Sequence, residues 1–354
     1  MVEIELKFQI SEARRTALLK ALDPKKSETI QLQAKYFDTP DRLLAQDGAA
    51  LRQRLEGACW IQTLKAAGKS HLHRFEHNHH LGELESSPEL DLSIYEAIPE
   101  AQQILTQALG VDAAALKLTF ETDIQRTYRV IEFEDAEIEV CLDVGVVRAS
   151  GREQTIHEVE FELKSGSVQS LLAFSFEWVK KYQLWLDVRS KAEMGNLLAL
   201  EQTVSPARFE KEFVLSKKES AAHNLSLLIG QQMQHLLPNI AAISAGVAEQ
   251  SHIDQAQTAL EHLQLTLALF KDWNSNISDK WAMQLAAFKH QFDHLQHLQH
   301  MQSTLGAFLQ NPTTTENLAK DILYAQEKLG NLVKSTQNVH HYLELLTFSL
   351  SSHD

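Results

Sequence analysis

Arginine nearly vanishes from the second part of this sequence: residues 201–354 contain one, Arg208, against eleven before them. Basic residues are scarce overall, 33 Lys and Arg against 47 Asp and Glu, for a formal net charge of −14. That balance excludes the broad basic surface that nucleic acid or an anionic membrane would require. The deficit is shared, 23 basic against 32 acidic residues up to position 200 and 10 against 15 beyond it. Cysteine is equally sparse. Cys59 and Cys141 stand far apart in no metal-ligand spacing, which suits a reducing compartment and gives no sign of a disulfide framework or a zinc site. No stretch of about 20 apolar residues is present to span a membrane. The amino terminus carries Glu3 and Glu5 where a secretory leader would place basic residues before an apolar run, so a cytoplasmic location is expected.

What is present is enough apolar material, 44% of residues, to bury real cores, and a length of 354 that favours two domains. Up to about residue 200 the dominant period is two. In "VEIELKF", Glu3, Glu5 and Lys7 alternate with Val2, Ile4, Leu6 and Phe8. "ALRQRL" sets Arg52 and Arg54 against Leu51, Gln53 and Leu55; "IQTLK" presents Thr63 and Lys65; "HLHRFEH" offers Arg74 and Glu76 in phase. "FETDIQRTYRV" gives Arg126. "AEIEVCLDVGVV" alternates Glu137, Glu139 and Asp143 with Ile138, Val140 and Leu142, and "HEVEFELKSG" sets Glu158, Glu160 and Glu162 against Val159, Phe161 and Leu163. Such alternation predicts half-buried strands of an antiparallel sheet or barrel. "SEARRTALLKAL", with Ser11 as N-cap, "PEAQQILTQAL" and "SVQSLLAFSFEWVKKYQL" have helical spacing.

After a linker at 201–218 around "SPARFEK", the period becomes 3.6 over 219–354, with turns expected at "DWNSNISD" and "QNPTTTEN". An all-α bundle of four or more antiparallel helices follows from that pattern. The fold class is therefore α+β: a closed antiparallel β-barrel with flanking helices, then a helical bundle.

One strand with a charged face would merely be half exposed to water. Here the feature recurs and the charges are sorted. Some strands carry mostly carboxylates (Glu3 and Glu5; Glu139 and Asp143; Glu158, Glu160 and Glu162), others mostly cations (Arg52 and Arg54, Lys65, Arg74, Arg126). Same-face neighbours lie about 7 Å apart along a strand, so paired carboxylates repel unless cations sit among them. If the sheet closes with its apolar side outward, the charges converge in a lumen suited to a polyanion with divalent metal ions.

"EIELKF" resembles the E-x-E-x-K signature of the CYTH superfamily, the triphosphate tunnel metalloenzymes. The order that follows resembles it too: "YFDTPDRLL", "LRQR", "TLK", "RFE", "QRT", "LDVG", "EVEFEL" and "SKAEMG". The resemblance covers about residues 1–200 and implies a closed tunnel that binds a triphosphate with Mg²⁺ or Mn²⁺, two ions in the active form. Carried onto this sequence, Glu3 and Glu5 correspond to the metal-binding pair. Asp143 with Glu160 and Glu162 completes the acidic sector, and Glu158 shares their phase, leaving Glu158/Glu160 as an alternative pair. Lys7, Arg52, Arg54, Lys65, Arg74, Arg126 and Lys191 correspond to phosphate-holding positions. Glu5 and Lys7 are the candidates closest to the chemistry; Lys7, buried among other cations, could have a depressed pKa and move a proton, or serve as one more phosphate ligand. Glu76 fits the R-x-E pattern or forms a structural pair with Arg74.

A tunnel followed by a helical extension resembles bacterial inorganic triphosphatases with a CHAD domain. The implied function is hydrolysis of tripolyphosphate, a small-molecule polyanion, to pyrophosphate and orthophosphate. Adenylyl cyclase and nucleoside or thiamine triphosphatase activities of the same superfamily are alternatives. A further one is a non-catalytic polyphosphate-binding module whose bundle mediates a homodimer, which so many carboxylates disfavour. The bundle departs from its family: "DQAQTALEHLQLTLALFKDW" shows Gln, Thr, Glu and His where arginines would stand, so it reads as a degenerate CHAD-like domain. His290, His294, His297 and His300 are read as a polar helix face, and "HLHRFEHNHH" as a mobile polar hairpin at the tunnel entrance, rather than as metal sites.

Overall fold

The structure is a computed structural model that describes residues 2–68, 70, 72–110, 112–212, 215–272, 275–305, 308 and 312–351. The chain divides into two compact units, Met1–Phe174 with Val188–Ser205, and Ser175–Asp187 with Pro206–Asp354.

From its start the chain runs β1 (Val2–Gln9), α1 (Glu12–Ala21), β2 (Glu28–Asp38), α2 (Leu43–Gln46), β3 (Ala49–Glu56), β4 (Cys59–Ala67), β5 (His73–Glu83), α3 (Pro99–Leu109), β6 (Lys117–Phe133), β7 (Ala136–Ala149), β8 (Arg152–Ser165), then α4 (Val168–Tyr182), whose residues from Ser175 on belong to the second unit, and α5 (Lys191–Ala199) in the first. These eight strands pair antiparallel in the order β5-β4-β3-β2-β6-β7-β8-β1, and β1 returns to β5 through Glu3↔Arg74. The sheet is thus closed, which removes both edges.

The outer face is apolar and covered. Phe8 and Phe161 lie 5.1 Å apart between ring centroids, and Phe161 meets Phe174 of α4 edge-on at 5.2 Å. On the other flank Leu51, Leu64 and Phe75 pack with Leu44 of α2, Tyr95, and Ala101 and Leu109 of α3. Two glutamines interrupt this face. Gln53 and Gln62, both fully buried, bond to each other (3.1 Å) and fasten a crossing loop through Glu89 O (3.2 Å) and Asp91 O (2.5 Å). The inner face is not charged throughout. Leu32, Ala34, Tyr36, Phe120, Ile124, Val147 and Ile156 share its parity and cluster with Met194 of α5. At that end α5 lies so close that a Cβ on Gly195 would fall 2.1 Å from the Phe120 ring.

The "YFDTPDRLL" stretch has a local explanation. The buried Asp38 accepts backbone N–H groups from Thr39 (2.7 Å), Leu44 (3.0 Å) and Ala45 (3.0 Å), so it satisfies the start of α2. The "HRFEHNHH" part of the expected hairpin lies in β5, which pairs with β4 up to Cys59↔Glu83 with a register shift between Trp60 and Ile61; His71 lies outside the described residues. Burial of Phe75 in the outer core fixes that strand.

The second unit holds α6 (Ala221–Ser244), α7 (Gln250–Leu269), α8 (Ser275–Leu305), α9 (Pro312–Val333) and α10 (Thr336–Leu350). The turns expected at 272–279 and 310–317 are shorter than the sequence suggested, because α8 begins at Ser275 and α9 at Pro312; residues 273–274 and 309–311 lie outside the described ones. A proline needs no N–H partner in a first helical turn. Part of the expected linker is tied down: Asn239 accepts from Arg208 N (3.1 Å) and donates to Arg208 O (2.9 Å), and Asn224 does the same to Ser216 (3.0 and 2.9 Å). Residues 213–214 of it lie outside the described residues. His290, His294, His297 and His300 all lie on the solvated face of α8.

Candidate active site

Alternation along β1 puts Glu3, Glu5 and Lys7 on the inner face, and closure gives them partners from far along the chain. Lys7 Nζ donates to Glu160 Oε1 (2.7 Å) and lies 3.6 Å from Glu5 Oε1. Burial alone would lower the Lys7 pKa, but Glu160 and Glu5 outweigh it and hold the pKa above its ordinary value. This corrects the expectation of a lysine depressed by neighbouring cations: closure surrounds it with carboxylates. Glu5 meets Arg74 Nε at 3.2 Å. Burial raises its pKa, and Lys7, Lys65 and Arg74 more than reverse that. Glu3 accepts two bonds from Lys65 (2.9 and 2.7 Å), yet burial pushes its pKa up to about 7 against that cation, helped by Glu5 and Glu76.

Glu76 lies 3.2 Å from Lys65 and 3.9 Å from Arg52. Its burial is overcome by those two cations, and its pKa drops to about 2. Glu3 and Glu76 therefore flank Lys65 as one subsite, drawn from β1, β4 and β5.

The second subsite lies on β6, β7, β8 and α5. Arg126 grips Asp143 through two bonds, Nε to Oδ1 (2.7 Å) and Nη2 to Oδ2 (2.6 Å), and also pairs with Glu160. Lys191 enters from the first turn of α5, where Ser190 caps the helix by accepting Glu193 N (3.0 Å). Its Nζ reaches Asp143 (2.7 Å), Glu160 (3.0 Å) and Glu158. Desolvation would lower the pKa of both cations, and the carboxylates raise each well above normal. Desolvation likewise opposes ionisation of Glu160 and Asp143, but Lys191 and Lys7 hold the first, and Arg126 and Lys191 the second, below their usual range. Glu158 is different: burial wins over Lys191 and Lys7, and its pKa rises to about 7.

Asp143, Glu158 and Glu160 offer carboxylate oxygens all within 4.8 Å of one another, the one such group of three metal-ligating side chains among the described residues. Glu158 Oε2 is buried with no hydrogen-bond partner. Oxygen donors at this density, one of them unsatisfied, fit a hard divalent cation. Glu162 shares the face but turns to Lys164 (2.9 Å) and does not join the trio.

Opposite stand Arg52 and Arg54 of β3. The Nε–H groups of both are buried without an acceptor. Burial, with Arg52 beside it, lowers the Arg54 pKa to about 10 although Glu56 pairs with it. Orphaned guanidinium donors in a buried wall fit phosphate oxygens. Tyr36, the first residue of "YFDTPDRLL", pairs in register with Arg52 on the same inner face. Burial raises the pKa of its phenol, and Arg52 brings it below the ordinary value. Cys141 carries no charge to mark it in the sequence, although the same parity that selects Asp143 places it on the inner face.

Comparison with known proteins assigns the family. Residues 1–194, more than half of the chain, match the family model described as CYTH domain. An inorganic triphosphatase of Haemophilus influenzae is 33% identical over 227 residues, 62% of this chain, and the chain spans 62% of that relative's length. Among solved structures, a candidate adenylate cyclase from Bacillus halodurans is 23% identical over 51% of this chain and 89% of its own (TM-score 0.37). A Hippeastrum protein described as having a dominant triphosphatase activity is 18% identical over 57% of this chain and 97% of its own (TM-score 0.40).

Proposed function

Since the chain belongs to the CYTH domain family, we propose that it hydrolyses inorganic tripolyphosphate to pyrophosphate and orthophosphate inside the barrel, with a divalent cation, Mg²⁺ or Mn²⁺, as cofactor. The observation that carries this reading is a pair of opposed unsatisfied walls: the Nε–H groups of Arg52 and Arg54 on one side, the Glu158 carboxylate oxygen within the trio on the other. A polyanion bridged by a cation satisfies both at once.

Asp143, Glu158 and Glu160 would hold the cation, with Glu3 and Glu5 at the neighbouring strand as candidates for a second. When bound, such an ion neutralises phosphate charge and acidifies a coordinated water. The chain's own part is positional and electrostatic. Arg52, Arg54, Lys65 and Arg74 line β3, β4 and β5 and bind the phosphates that become pyrophosphate. Arg126 and Lys191, now paired with the trio, would exchange those ion pairs for the transferred phosphoryl group and stabilise charge there. Lys7, held cationic by Glu160 and Glu5, orients a phosphate oxygen and does not serve as a base. The apolar end packed by Met194 keeps bulk water from the buried side of the site.

The test is orthophosphate release by the purified full-length chain with Mg²⁺ or Mn²⁺, given tripolyphosphate, ATP and thiamine triphosphate in parallel. Metal-dependent release from tripolyphosphate well above the other two is expected. Cyclic AMP from ATP would replace the proposal with a cyclase, and silence on every substrate would leave a binding module.

A further inference from the structure

Lys191 is held among the carboxylates by its own ion pairs, to Asp143 at 2.7 Å, Glu160 at 3.0 Å and Glu158. Those are the pairs that the phosphoryl group would replace, so they do not fix the lysine while it works. What remains is the backbone that carries it. Lys191 is the first residue of α5, and a first helical turn frays unless its N–H groups find acceptors.

Two side-chain hydrogen bonds hold that turn. Ser190 caps it, accepting Glu193 N at 3.0 Å. Ser190 and Glu193 have the S-x-x-E spacing of a reciprocal cap, in which the glutamate reaches back to the N–H of the serine. The Glu193 carboxylate is engaged elsewhere: its Oε1 accepts from Ser205 Oγ at 2.5 Å. Bonds to an ionised acceptor are the stronger kind. Ser205 is the last residue of the first unit, and Pro206, whose ring fixes φ, begins the second. The rest of α5 is held by packing, Met194 in the apolar cluster and Gly195 against Phe120. Packing therefore sets where α5 lies, and the chain Ser190–Glu193–Ser205 sets where its first turn points.

We propose that Glu193 and Ser205 are positioning residues for Lys191: their hydrogen bond clamps the first turn of α5, so the segment by which the chain leaves the barrel also sets the reach of a site lysine. The effect on turnover rests on the reading of Lys191 as a group that meets the transferred phosphoryl. The clamp itself does not.

The metal-free full-length chain is treated with an amine-acylating reagent, and modification of Lys191 and Lys7 is followed by peptide mass spectrometry. The two side chains are equally shielded, 11% and 10% exposed, and Lys7 is carried by β1, so it serves as the reference. Ser205→Ala and Glu193→Ala are expected to speed acylation of Lys191 about fivefold, the scale of losing one cap hydrogen bond, with Lys7 unchanged. Ser205→Thr keeps the donor and Glu193→Gln the acceptor without the charge, so both should stay near wild type. Under the triphosphatase reading the alanine variants should lose about ten- to a hundredfold in kcat with KM little changed. In a Lys191→Ala background, Ser205→Ala should add no further loss. An unchanged Lys191 rate, an equal rise at Lys7, failure of both conservative variants to match wild type, or a loss that simply adds to that of Lys191→Ala overturns the proposal. The acylation rates stand whether or not tripolyphosphate is hydrolysed, so failure of the triphosphatase reading is separately visible.

Discussion

Arg126 and Asp143 face each other across β6 and β7 and close a two-point ion pair, Nε to Oδ1 at 2.7 Å and Nη2 to Oδ2 at 2.6 Å. The fork geometry is what a lysine cannot reproduce. Arg126→Lys is expected to lower kcat for tripolyphosphate about a hundredfold, the scale of losing one oriented donor to a developing charge. Steady-state kinetics with Mg²⁺ checks this, and unchanged turnover would remove Arg126 from the phosphate-holding set. Arg126→Ala, which strands a fully buried carboxylate, should also cost about 3–5 kcal/mol of stability.

Metal binding should depend on pH through Glu158, whose pKa burial raises to about 7. Below that pH the carboxyl holds a proton that a cation must displace; above it the ligand is ready. Mn²⁺ affinity, followed by electron paramagnetic resonance, is therefore expected to rise from pH 6 to pH 8. In Glu158→Gln the affinity should be weaker and this rise flattened. An equally steep rise in that variant would place the titrating group elsewhere.

Gly195 leaves no room for a side chain against Phe120. Gly195→Ala is expected to destabilise the barrel by about 1–3 kcal/mol through overpacking. Adding Phe120→Leu, which vacates the space, should restore part of the loss. Thermal unfolding of the two variants decides it: a Gly195→Ala melting temperature equal to wild type would mean that α5 sits further from the barrel end.

Glu344 in the helical unit has a pKa lowered to about 2, through His341, whose Nδ1 lies 3.8 Å away, and through the hydrogen bonds that Lys280 (2.8 Å) and Trp281 (3.2 Å) donate. A depressed carboxylate contributes stability that is complete above its unfolded pKa and is lost as pH falls through the folded one. The contribution is therefore expected in full above about pH 4.5 and should disappear toward pH 2. Thermal melts of wild type and Glu344→Gln should converge over that window. A constant gap between the two curves would contradict the assignment.

Much of the site was legible because a strand alternates its faces regardless of what it pairs with. That rule alone puts Glu3 with Glu5 and Lys7, Arg52 with Arg54, and Glu158 with Glu160 and Glu162. It also puts Cys141 and Tyr36 on the inner face, but neither is a charged residue, so the sorting of charges does not single them out. It could not separate Glu162 from its neighbours, since all three share a phase. Only the ladder shows Glu162 turning to Lys164 while Glu158 and Glu160 meet Asp143.

The sequence by itself determined the parity of each strand, the helical period of the second part and the poverty of cations there. Those are local properties, set by backbone geometry and by the spacing of apolar residues. The tertiary structure decided who meets whom. Closure of β1 onto β5 carries Glu3 to Lys65, register places Arg126 on Asp143, and α5 delivers Lys191 from the barrel end into the carboxylates. It also decided that part of the inner face is apolar, because Leu32, Ile124 and Ile156 follow the same alternation as the charged residues and find α5 above them. Such partnerships depend on which distant strands hydrogen-bond and in what register, and a shift of one residue would reverse every face without changing a single local preference.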